Sequence, residues 1–135
     1  MGVWGPGNLE GDSPLDFLAG LAERWERIVE EALAGSVPEE AKALEFWPGL
    51  DTIDGCVMPT IELIVVATER LEVEHYPSQP TVERWSGRVL ATFDAEIDGQ
   101  DTDPAFQAER RAVLVATFDR LARLVRARDQ ELESS

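Results

Sequence analysis

Pro59-Thr60-Ile61-Glu62-Leu63-Ile64-Val65-Val66-Ala67-Thr68-Glu69-Arg70-Leu71-Glu72-Val73-Glu74 is the stretch that decides the fold. Ile61, Ile64, Val65, Thr68 and Leu71 recur at helical spacing along one stripe, and Leu63 and Val66 cover a second. A helix apolar on more than one side must be wrapped by other elements. The reading is therefore a central helix clothed by amphipathic ones. The β-branched residues of this run would also suit a strand. Helix is preferred because the apolar content continues past strand length and Pro59 fits a first helical turn.

The flanking segments read as further helices. Ser13-Pro14-Leu15-Asp16 offers a serine N-cap, a proline at the first position and an acid to answer it. Phe17, Leu18, Leu21, Trp25, Ile28, Val29, Ala32 and Leu33 then follow helical spacing until Gly35 stops them. Ser36 to Phe46 suggests a short helix carrying Ala41 and Leu44, closed by Trp47-Pro48-Gly49. Asp51-Thr52-Ile53-Asp54-Gly55 reads as a turn. A third long helix places Val82, Trp85, Val89, Leu90, Phe93 and Ile97 on one face and ends at Gly99. Asp103-Pro104 starts a fourth, through Phe106, Val113, Leu114, Phe118, Leu121 and Val125. Arg120, Arg123, Arg126 and Arg128 near its end complement the helix dipole. The expected fold is all-α, a compact bundle of four main helices plus one short helix. It forms a single domain over 1–135, with an N-terminal arm over 1–12 and a frayed tail over 129–135.

Composition narrows the class. A chain of 135 residues buries roughly two thirds of its unfolded surface without metal or disulfide. Cys56 is the sole cysteine, so no intrachain disulfide forms. No apolar run is long enough to span a membrane, and the N-terminus has neither a basic segment nor an apolar h-region. Gly2 begins no myristoylation motif, since Pro6 stands where Ser or Thr is required. The expected compartment is the cytoplasm. The formal charge of -15 argues against nucleic acid and anionic membrane as partners and favours a basic protein. Residues 1–83 carry 17 acids against 4 bases, so the negative charge is concentrated there.

The opening Met1-Gly2-Val3-Trp4-Gly5-Pro6-Gly7-Asn8-Leu9-Glu10-Gly11-Asp12-Ser13-Pro14-Leu15-Asp16-Phe17-Leu18 resembles the N-terminal signature of the bacterial domain-of-unknown-function family numbered 4259. The likeness rests on Trp4, Gly5, Gly7, Asp12 and Asp16, and covers about the first eighteen residues. Leu9 and Gly11 depart from the aromatic and the asparagine common in that family. The resemblance implies an all-helical fold and no particular chemistry. By residue type, Trp4 would pin the glycine-rich arm to the core. Gly5-Pro6-Gly7 lacks the preceding strand and the later lysine of a phosphate-cradling loop.

No motif of known chemistry stands out. Cys56 and His75 flank the whole central helix, too far apart for a nucleophile and its base. Cys56 reads as a small buried hydrophobe and His75 as a helix-end cap. Zinc spacing is absent. Asp94-Ala95-Glu96-Ile97-Asp98-Gly99 imitates the start of a calcium loop, but Ala105 stands where a bidentate glutamate is needed. No metal or other cofactor is expected. The sequence points to a non-enzymatic protein acting by protein contact, in concrete form an immunity or antitoxin-like protein that masks a basic toxin. Glu23, Glu26, Glu30 and Glu31 on the first helix are the expected binding face. The alternatives are a small hydrolase using Glu10, Asp12 and Asp16, or a homo-oligomeric structural subunit, leaving monomer or homodimer open.

Overall fold

A computed structural model of the chain describes residues 2–3, 5–71 and 73–134. The fold is all-α. Four main helices are α1 (Asp12–Leu33), α3 (Met58–Arg70), α4 (Gln79–Glu96) and α5 (Pro104–Ser134), with a short α2 (Leu50–Thr52) before α3. Among the described residues the only strand-like pairing is an isolated antiparallel bridge between Val3 and Gly11. No helix of the described residues is long and apolar enough to cross a membrane.

Side-chain contacts fix the arrangement. Ala22 of α1 packs with Ala67 near the end of α3, while Ala32 and Leu33 line one cavity with Ile53 and Cys56 just before α3, so these helices run antiparallel. Arg110 pairs with Asp54, Arg120 with Glu69, and Arg128 donates to the Leu71 carbonyl, so α5 runs parallel to α3. Arg111–Asp94 and Gln79–Asp129 join opposite ends of α4 and α5, which are therefore antiparallel. Arg84–Glu30 closes the ring between α4 and α1. The core between them holds Val29, Ile61, Val65, Trp85, Val89, Leu114 and Leu121, all essentially inaccessible.

This ring corrects the expectation of a wrapped central helix. α3 is one of four walls: Ile61, Ile64, Val65 and Thr68 face the core, but Leu63 is 51% and Val66 38% exposed. Its second apolar stripe lies on the outside. Phe17, at 71% exposure, and Leu21 also sit outside, because Leu15 and Ala22 occupy the inward arc at that end of α1.

Helix ends follow capping rules in part. At Gly35 the Ser36 amide donates to the Glu31 carbonyl and the Gly35 amide to Ala32, with φ of +87° at the glycine. That is the paired-bond ending that favours glycine. Asp103 Oδ1 accepts from the Phe106 amide at 2.8 Å and caps α5. Ser78 caps α4 by accepting from the Thr81 amide. Ser13 is not the cap of α1. The helix begins two residues earlier than expected, at Asp12, with Gly11 as N-cap in extended conformation. The physical reason is the arm: the Asp12 amide donates to the Gly2 carbonyl at 2.7 Å, and the Gly2 amide donates to Asp12 Oδ2 at 2.8 Å. The expected anchoring by Trp4 lies outside the described residues.

Three more corrections are local. Residues 51–55 are no turn: α2 runs through a π-helical turn, Ile53–Val57, straight into α3. The short helix after Gly35 is a single 3₁₀ turn, Glu39–Ala41. α5 continues to Ser134, so the arginines stand before its end rather than in its last turn. Arg128 instead donates to the Thr68 and Leu71 carbonyls, capping the end of α3 from a neighbouring helix. Arg88 does the same for α1 through the Leu33 carbonyl.

Candidate functional site

The glutamates of α1 stand in line, but most are already engaged. Glu30 receives both Arg84 nitrogens, at 2.6 and 2.9 Å, and the indole N–H of buried Trp85 at 2.8 Å. Arg84 holds its carboxyl below the usual range, against the opposing effect of burial, and the Trp85 donor adds to the depression. Glu31 accepts from Arg24, which also forks onto Glu40 at 2.5 and 2.8 Å. Glu26 meets His75 Nε2 at 2.5 Å. His75 therefore does not cap a helix; it ties the connection before α4 to α1. Glu23 has only an exposed neighbour on its own helix, Arg27 at 3.5 Å.

These pairs set an acid response. The Arg24 hydrogen bond, helped by a backbone amide, lowers the Glu40 carboxyl to about 2. A carboxyl depressed on folding stabilises above its unfolded value of about 4.3, and that contribution vanishes as pH falls through the folded value. Stability should thus decline between about pH 4.5 and 2. Denaturant titration across that window checks it, and Glu40→Gln should flatten part of the slope. Because Glu40 is half exposed, its share is small.

The N-terminal residues gather around Glu10. An added Cβ at Gly5 or Gly7 would lie 1.7 or 2.4 Å from the Glu10 carboxylate, so that side chain lies across both glycines. Asp12 is committed to the arm, and Asp16 is exposed on the first turns of α1. The three acids expected to form a hydrolytic cluster thus sit on solvated backbone rather than against an apolar wall.

The best-formed concavity is elsewhere. α1 and α4 finish, and α2 and α5 begin, at one end of the bundle, and the segment 34–49 folds across it. There a cavity of about 450 Å³ opens between the end of α1, this segment, the π turn and α4. Leu33, Ala41, Phe46, Ile53 and Cys56 supply apolar wall, and Arg88 and Glu45 supply charge. π turns are rare and concentrate at functional positions. Here the turn presents Ile53 and Cys56 to the cavity. Burial pushes the Cys56 thiol up, with the charge of Glu40 adding to it, so the sulfur is protonated near neutrality.

Gly49 lines this cavity, and Gly55 lies behind its Phe46 wall. Gly49 has φ of +87°, and an added Cβ there would lie 2.4 Å from Glu96 Oε1, which accepts from the Leu50 amide at 3.2 Å. Gly55 lies under Phe46: a Cβ would come within 2.3 Å of the ring. Gly55→Ala should therefore displace Phe46 and cost about 1–3 kcal/mol. Thermal melts check it, and Phe46→Leu in the same chain should restore most of the loss.

Sequence reasoning missed Gly49, Gly55, Phe46 and Arg88 as a set. The available signal was Val37-Pro38 and Trp47-Pro48-Gly49 bracketing a short apolar segment. Cys56 and His75 stay apart, at opposite ends of α3. Asp94 is held by both Arg111 nitrogens, at 2.8 and 3.0 Å. No group of three or more metal-capable side chains stands together among the described residues. No protein-family model, curated protein or solved structure matches this chain.

Proposed function

We propose that this chain is a non-enzymatic cytoplasmic protein that acts by contact with a basic protein, in the manner of an immunity or antitoxin protein. The resemblance of its first eighteen residues to the domain-of-unknown-function family numbered 4259 suits an all-helical bacterial protein and adds no activity. One observation carries the reading: most cations other than Arg123 and Arg126 are spent internally, while carboxylates remain. Arg24, Arg84, Arg110, Arg111 and Arg120 face acids of their own chain, and Arg88 and Arg128 face its carbonyls. Asp16, Glu74, Glu83, Glu109 and Asp119 have no cationic partner among the described residues. Such a surface steers and holds a positively charged partner. Within the α1 face, Glu23 has the loosest internal pairing, the exposed Arg27 of its own helix, whereas Glu26, Glu30 and Glu31 would have to exchange a cation from elsewhere in the chain or a closer one for an external one.

The test is capture by the immobilised chain at about 50 mM and then about 500 mM salt, where screening shortens from over 10 Å to a few Å. A basic protein held only at low salt, and lost with Asp16→Asn/Glu23→Gln, supports the reading. Retention of the same proteins by that variant, at both salts, overturns it. A second reading, self-association, is favoured by the exposed Leu63 and Val66 on α3. Sedimentation of the purified chain as a dimer that Leu63→Glu converts to monomer would support it.

A further inference from the structure

We propose that the cavity beside the π turn binds a small apolar molecule carrying a cationic group, of the aryl-alkyl amine class. Its volume, about 450 Å³, lies in the range of small-molecule sites. Its walls are set before any ligand arrives. The end of α1 is fixed by the Gly35 turn and by Arg88 on the Leu33 carbonyl. The opposite wall is fixed by Phe46 resting on Gly55. Apolar surface held open to this extent forfeits the dispersion contacts that a closed core would make. A ligand of matching shape restores them.

The charge preference follows from what is committed around the cavity. Arg88 keeps its charge but is drawn to the Leu33 carbonyl through one nitrogen, and Lys42 is neutralised by Glu39 at 2.7 Å. Glu45, in the wall, has no cationic partner among the described residues. Glu96 lies against Gly49 at the same end, and Asp98, Asp101 and Asp103 follow in the connection to α5. An amine entering with its apolar part inward leaves its charge beside Glu45. A carboxylate in the same pose would be placed beside the Glu45 carboxylate instead.

Cys56 supplies the readout, because it is the one cysteine of the chain and its side chain lines the cavity. The full-length protein is treated with iodoacetamide in the presence of 4-phenylbutylamine, 4-phenylbutanol or 4-phenylbutyrate. Alkylation of Cys56 is followed by mass spectrometry. The amine should slow alkylation by about tenfold at ten times its dissociation constant, the factor 1 + [L]/Kd. The alcohol should protect more weakly and the carboxylate least. Glu45→Gln, which removes the charge from the wall and keeps its size, should level amine and alcohol while both still protect. Equal alkylation with all three probes at millimolar concentration overturns the proposal, and so does protection by the carboxylate matching or exceeding that by the amine. The outcome is independent of partner capture, since Asp16→Asn/Glu23→Gln alters neither wall nor rim of the cavity.

Discussion

Trp85→Ala should lower the stability of the fold by about 3–5 kcal/mol, the largest loss expected from any single truncation among the described residues. Trp85 is the largest of the fully buried side chains among the described residues. It stands where α4 faces α1 across the core, and its indole N–H donates to Glu30 Oε1 at 2.8 Å. Removing the ring opens a void that close-packed neighbours fill only in part, so transfer and cavity costs add. The hydrogen bond is the minor component. Glu30 keeps both Arg84 nitrogens when the indole is gone, so no carboxylate oxygen is left without a donor. Trp85→Phe separates the two effects: it keeps most of the ring, loses the donor, and should cost about 1–2 kcal/mol. For a domain of this size the alanine variant should melt roughly 10–20 °C lower. Urea titration of both variants checks the ratio. Equal losses would mean that the polar contact, not the packing, holds α4 against α1.

Trp85 also marks what the sequence made legible. Its helix shows a clean 3.6-residue pattern, because Val82, Trp85, Val89 and Phe93 all point to one core and all are buried. The Asp103 cap and the Gly35 ending were readable for a related reason: each depends on residues within one turn of itself. The stretch 51–55 misled for the opposite reason. Asp51, Asp54 and Gly55 have the composition of a turn, and local propensity alone cannot distinguish that from the first turns of a helix. Remote and neighbouring contacts decide it. Asp51 Oδ2 accepts from the Trp47 amide at 2.8 Å, Glu96 Oε1 accepts from the Leu50 amide, and Phe46 lies over Gly55.

The same limit governs the candidate site. A row of glutamates on α1 looks like a free acidic face when only the helix is considered. Its partners come from far along the chain: Arg84 for Glu30 and His75 for Glu26. Which acids are left over is therefore a property of the assembled ring, not of the helix that carries them. The cavity is still less local. Its walls come from α1, the segment across the bundle end, the π turn and α4, and no one of these announces a concavity.

Ile61→Ala and Leu63→Ala, two residues apart on α3, should differ by several kcal/mol. Both residues belong to the apolar stretch that decides the fold, and hydrophobicity alone treats them alike. Ile61 is fully inaccessible in the main core cluster, so its truncation should cost about 2–5 kcal/mol. Leu63 is half exposed on the outer face, and its truncation should stay within about 0.5 kcal/mol in the isolated chain. The contrast tests the ring directly. Were α3 wrapped on all sides, Leu63→Ala would approach the cost of Ile61→Ala. Protein concentration adds a second axis: a Leu63 cost that appears only as concentration rises would place this stripe in a contact between copies, since association links stability to concentration. Chemical denaturation of both variants, at two concentrations about a hundredfold apart, reads the burial of each stripe separately. A small Ile61 cost beside a large Leu63 cost would mean that α3 is rotated about its axis relative to the arrangement described, with its outer stripe turned to the core.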